Sequence, residues 1–171
     1  MSNTENIPWH KNDALFRQLQ DTGRRYEGYV SGLIVSNGLG VRVKPMCTRP
    51  DISVRSNYRD TRDLIVETPS GQLAEIEVKS RDLNFNNAED FPYPDLFVDT
   101  KSTVDEKGPP LAFVCVSQIT LGMVVIPGST IADWTTKTTF DRVRKQEQTF
   151  YICPTSKTRS FDNLISHLKT L

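Results

Sequence analysis

The stretch Arg62-Asp63-Leu64-Ile65-Val66-Glu67, followed by Thr68-Pro69-Ser70-Gly71-Gln72 and then by Glu75-Ile76-Glu77-Val78-Lys79-Ser80-Arg81, decides the reading of this chain. Two β-branched, apolar-rich runs separated by a Pro/Ser/Gly segment predict two short strands joined by a turn. Side chains alternate faces along a strand, so Ile76 and Val78 face a core while Glu77 and Lys79 face the other way. A tight turn pairs residues whose numbers add to 140 or 141, which sets Asp63 beside Glu77 on the neighbouring strand. Two carboxylates and an ammonium then converge, the groups a divalent-metal hydrolytic site needs.

Asp63, Glu77 and Lys79 at this spacing resemble the signature of the PD-(D/E)XK nuclease superfamily, whose shared core is the restriction-endonuclease-like fold. Asp63 matches the acid that opens the motif, Glu77 the second acid and Lys79 the lysine. Many members carry a further glutamate on the helix before the hairpin, and Glu27, within Gly23-Arg24-Arg25-Tyr26-Glu27-Gly28-Tyr29-Val30, has that context. The residue before Asp63 is Arg62, so the Pro-Asp pair is absent. The resemblance spans about residues 12–127. It implies a Mg²⁺ or Mn²⁺ ion held by Asp63, Glu77 and the Val78 main-chain carbonyl. Lys79 would orient or deprotonate the attacking water, or neutralise the phosphate, and Glu27 would reach across from the helix. The implied activity is phosphodiester hydrolysis, an endonuclease on DNA, of a size seen among phage, mobile-element, repair and restriction proteins. Cutting both duplex strands would call for a homodimer, two hits or a second site.

With 171 residues, 37% hydrophobic and 25% charged, the chain fits one globular domain able to bury a core. We expect a single domain over 1–171, with its core at about 12–127 and a strand and helices added at 128–171. The longest apolar run, Leu111 to Val116, is far too short to span a bilayer, and the first residues lack a secretory signal pattern. Three cysteines without close spacing argue against a disulfide framework, and Cys115 and Cys153 lie in apolar runs that suit buried thiols. The expectation is an intracellular, cytoplasmic protein without a membrane partner.

Net charge is zero, so any nucleic-acid contact must come from local clusters. Arg42, Lys44, Arg49, Arg55, Arg59 and Arg62 stand against only Asp51 and Asp60, and they lead into the hairpin, which favours a phosphate role. Arg142, Arg144 and Lys145 form a second group, for which a mixed polar surface is at least as good a reading. Phe91, Tyr93 and Phe97 could stack on unpaired bases or anchor their proline-rich loop, and anchoring is favoured. Asp95, Asp99 and Lys101 form a second acidic cluster on a strand or extended edge.

Apolar spacing predicts a first helix from Asn12 or Asp13 carrying Leu15, Leu19, Tyr26, Val30 and Leu33, in which Gly23, Gly28 and Gly32 either weaken the helix or permit close packing. Strands follow at Val41 to Lys44, Leu111 to Ser117, Met123 to Ile126 and Thr149 to Pro154, with a short helix near Phe140 to Gln146. Ser160 caps a terminal amphipathic helix bearing Phe161, Leu164, Ile165, Leu168 and Leu171. The order predicts an α/β (α+β mixed) fold, a central mixed sheet flanked by helices. Three alternatives to the nuclease stand, one of them a small structural or inhibitory protein with no nucleic-acid role, for which the Arg42 to Arg62 cluster would be dispensable. The hairpin face could be solvated, with its charges loosely paired. The same fold could also serve as a catalytically inactive nucleic-acid-binding or protein-interaction module.

Overall fold

A computed structural model describes residues 13–43, 62–142 and 145–171. Helix α1, Asp13–Ser36, packs with Tyr26, Val30 and Ile34, which recur every four residues and are all buried. Ile34 takes the core position expected of Leu33, and Leu19 is 41% exposed, so the apolar stripe is shorter than the spacing suggested. Among the described residues, no heavy atom outside the helix's own backbone lies within 4 Å of a Cβ placed on Gly28 or Gly32. Close packing is therefore not what those two glycines provide. The helix ends in a Schellman motif, in which Leu39 N–H donates to Ile34 O and Gly38 N–H to Val35 O, with Gly38 at φ +83°.

Strands β1 (Gly40–Val43), β2 (Leu64–Glu67) and β3 (Leu73–Arg81) form an antiparallel meander. Leu64 pairs with Ile76 and Glu67 with Leu73, the register the motif spacing required. Strand β4 (Asp95–Thr100) and helix α2 (Lys101–Lys107) then lead to β5 (Ala112–Ser117), which runs parallel to β3, and to β6 (Met123–Pro127), antiparallel to β5. The first sheet is thus a mixed sheet in the order β1-β2-β3-β5-β6. All six residues of β5 are buried, as a strand covered on both faces must be.

A 3-10 turn, Gly128–Asp133, leads into β7 (Thr135–Asp141) and β8 (Gln146–Pro154), which with β4 make a second sheet, β4-β8-β7. The short helix expected near Phe140 to Gln146 is therefore wrong. The threonine-rich run from Thr135 pairs residue by residue with β8, and such β-branched residues favour a pleated ladder over a helical turn. Helix α3, Phe161–Thr170, closes the described chain, with Ser160 accepting from Asn163 N–H as its cap.

The first sheet has a core on each face. Tyr26, Val30 and Ile34 of α1 and Leu164, Ile165 and Leu168 of α3 pack with Leu64, Ile76, Val78 and Val114 on one side. Leu96, Val98 and Cys153 of the second sheet pack with Phe113, Cys115, Val124 and Ile126 on the other. The fold is a mixed α+β one. Helices cover one face of the central sheet, and the other face is covered mainly by a second sheet. Among the described residues, no helix is long and apolar enough to cross a membrane.

Candidate functional site

Odd-numbered residues of β3 face the second sheet, which places Glu77, Lys79 and Arg81 on that side. The β2–β3 ladder ends at the Leu64–Ile76 pair, so Asp63 falls opposite Glu77 at the first position beyond it. There its side chain replaces a ladder partner, and Asp63 Oδ2 accepts the Val78 N–H at 2.7 Å. Glu75 O and Arg81 O accept from Leu111 and Gln118 on the β5 side. In a strand, N–H and C=O of one residue point to the same edge and alternate along the chain, so the Val78 carbonyl points the other way, toward Asp63.

Glu77 is only 5% exposed. Its Oε1 lies 3.5 Å from Lys79 Nζ, and its buried Oε2 has no hydrogen-bond partner among the described residues. A buried carboxylate oxygen left without a donor costs free energy on the order of 1–3 kcal/mol, which a ligand could relieve. The idea of a solvated, loosely paired hairpin face fails for Glu77 and Lys79. Of the three, Glu75 alone keeps an exposed carboxylate, and it accepts from buried Arg62 at 2.8 Å.

Lys79 Nζ lies 2.7 Å from Asp99 Oδ2, and Asp99 Oδ1 accepts from Thr100 N–H at 2.7 Å. Arg81 fastens β4 to β3 by donating to Phe97 O at 2.9 Å and Val98 O at 3.4 Å. Asp99 is the site residue that the sequence reading left in a separate acidic cluster. The cluster itself was visible, but its partner lies on another sheet, which only tertiary contact can reveal.

Burial, then the neighbouring Glu77 charge, pushes the Asp63 carboxyl up to about 7, against the pull of Lys79 and the Val78 N–H, with Glu27 adding a smaller push. Glu27, half-buried on α1, is therefore within electrostatic reach of Asp63. Burial works against the Lys79 ammonium, but Asp99 first, then Glu77 and Asp63, hold it above its ordinary value. Lys79 stays charged at neutral pH.

The basic residues separate. Arg62 is 6% exposed and donates to Glu75 at 2.8 Å and to the carbonyls of Lys107 and Gly108 at 3.1 and 2.7 Å. It braces the chain entering β2 against the loop before β5 through Nε and Nη2, and its burial leaves little of the guanidinium for a phosphate. Arg42 is exposed and lies 3.4 Å from Glu67. Lys44, Arg49, Arg55 and Arg59 lie outside the described residues. On the proline-rich loop, Phe91 packs edge-on against buried Phe85, whereas Phe97 lies not on the loop but in β4, edge-on against Phe150. Tyr93 is 54% exposed.

Asp63, Glu77 and the Val78 carbonyl form an all-oxygen donor set, the hard chemistry that Mg²⁺ and Mn²⁺ prefer, and the partnerless Glu77 Oε2 fits a cation there. Two carboxylates plus substrate oxygens suffice for such ions, and no group of three or more His, Cys, Asp or Glu suited to a metal occurs among the described residues. The sequence matches no protein-family model and no curated protein.

Proposed function

We propose that the protein is a divalent-cation-dependent phosphodiesterase acting on nucleic acid, with DNA as substrate, in the manner of the PD-(D/E)XK nucleases its hairpin resembles. The observation that carries this reading is the buried Glu77 carboxylate, with one oxygen unpartnered, beside Asp63 and a lysine fixed in place by Asp99. Asp63, Glu77 and the Val78 carbonyl would hold Mg²⁺ or Mn²⁺. Such a cation offsets charge on the phosphate and eases deprotonation of the attacking water. Lys79, kept cationic by three carboxylates, orients that water and neutralises the phosphate; its raised pKa makes it a poor base. Asp99 holds the ammonium at a fixed place, and Arg81 holds the strand that carries Asp99. Glu27 contributes negative charge from the helix side.

The test is a cleavage assay on supercoiled, linear, single-stranded and four-way-junction DNA and on RNA, with Mg²⁺ or Mn²⁺, beside Glu77→Ala and Lys79→Ala of verified fold. The expected result is cleavage abolished by chelation and reduced roughly 100-fold or more in each variant. Absence of cleavage on every substrate, with nucleic-acid binding indifferent to both substitutions, would replace the enzyme with a catalytically inactive binding or interaction module.

A further inference from the structure

The β7–β8 hairpin differs from the rest of the second sheet. None of the described residues from Thr135 to Thr149 is buried, and Thr135 to Thr138 are exposed in succession, with only Thr139, Asp141, Gln148 and Thr149 half-buried and Lys137 Nζ 5.8 Å from the Phe97 ring centroid. The ladder runs from Thr135–Ile152 to Asp141–Gln146, with Thr138 and Thr149 hydroxyls bonded across it at 2.8 Å. Between Thr135 and Thr149 the described side chains are mostly threonine hydroxyls and glutamine amides, with the Lys137 ammonium, the carboxylates of Asp141 and Glu147, and exposed Phe140 near the tip. Arg142 and Lys145 sit at the tip, and the described residues from Thr135 to Thr149 carry three cations, Lys137, Arg142 and Lys145, against two carboxylates in a chain of zero net charge. The root is next to the candidate site. Thr100 of β4 pairs with Phe150 of β8, and the residue before it, Asp99, holds Lys79. A polar cleft of about 500 Å³ runs between α2 and the β8 side of the ribbon.

We propose that this ribbon is an arm that enters the major groove of duplex DNA beside the phosphodiester to be cut, with Arg142 and Lys145 on the flanking phosphates. This deepens the nuclease reading and rests on it for the identity of the site. A two-stranded ribbon, its strands about 4.8 Å apart, fits a groove about 12 Å wide, and hydrogen-bonding side chains are what read base edges there. The deep, narrow major groove of A-form RNA does not admit it. The arm therefore selects DNA duplex over RNA duplex.

Binding measured in EDTA separates the arm from catalysis. The full chain is titrated against a DNA duplex and an RNA duplex of the same sequence by fluorescence anisotropy at several salt concentrations, with dimethyl sulfate probing guanine N7 in the DNA major groove. The expected result is preference for DNA with N7 protection. Arg142→Glu with Lys145→Glu should weaken DNA binding about tenfold or more, lower the salt slope by about two, and abolish protection. Arg142→Gln and Lys145→Gln singly, with unchanged circular dichroism, guard against a folding artefact. Unchanged affinity and protection in these variants, or equal binding of RNA duplex, would overturn the proposal. So would sedimentation showing that the tip variants dissociate a dimer, because the ribbon edge would then serve a second copy of the chain. Protected N7 without cleavage in any metal would sink the nuclease reading and leave the arm standing. Cleavage with kcat and KM untouched by the tip variants would sink the arm alone.

Discussion

At the scale of single residues, the site holds charge at a cost to stability. Asp63 binds its proton more tightly folded than unfolded, with a folded pKa of about 7 against an ordinary 3.8. Its contribution is therefore fully present below about pH 4 and is lost as pH rises through about 7. The metal-free protein should lose thermal stability over that window. Asp63→Asn keeps an oxygen for the Val78 N–H and removes the charge, so in EDTA at pH 8 it should melt at least about 2 °C higher than wild type. A lower melting point for the variant would contradict the assignment of strain to this carboxylate. Asp63, Glu77 and Lys79 were legible in the sequence because a hairpin register is local, fixed by a five-residue turn and strict alternation. Asp99 was not, because the bond that gives it meaning crosses from one sheet to another.

At the scale of elements, α1 carries two glycines on its open side. Gly28→Ala and Gly32→Ala meet no atoms and recover backbone entropy, so each should raise stability by about 0.8–1 kcal/mol in urea unfolding. A loss in either variant would mean that this face of the helix is packed rather than open. The length of α1 and its glycine-closed end could be read from spacing and from Asn37-Gly38. The β7–β8 ribbon could not. A helix was the better local guess for Phe140 to Gln146, yet the seven-pair ladder from Thr135–Ile152 to Asp141–Gln146 overrides the weak propensity of a short segment.

At the scale of the molecule, Phe113 joins the two sheets. It is 1% exposed and meets Trp134 edge-on at 6.0 Å between the centroids. Phe113→Ala should cost about 3–5 kcal/mol. The loss should appear as one cooperative transition by both far-UV circular dichroism and tryptophan fluorescence, whereas separate transitions would show that the second sheet is an independent unit. Cation binding acts at the same scale through linkage. Mg²⁺ at about 100 times its Kd should stabilise the fold by about 2.7 kcal/mol, and Glu77→Ala should abolish that gain. Equal Mg²⁺ stabilisation in wild type and variant would place the cation elsewhere.

By itself the sequence determined the first helix, the hairpin with its register, the buried fifth strand, the terminal capped helix and the placing of Asp63 beside Glu77 and Lys79 on one face of the hairpin. All of these rest on periodicity and on turns between near neighbours. Only the tertiary structure decided that this face is covered by a second sheet, that Arg62 is a buried brace, that Asp99 completes the lysine's surroundings, and that the last hairpin stands clear of the body. Those outcomes depend on which distant segments bury one another's apolar surface, and a charge's role follows from burial and partners that composition and spacing do not encode.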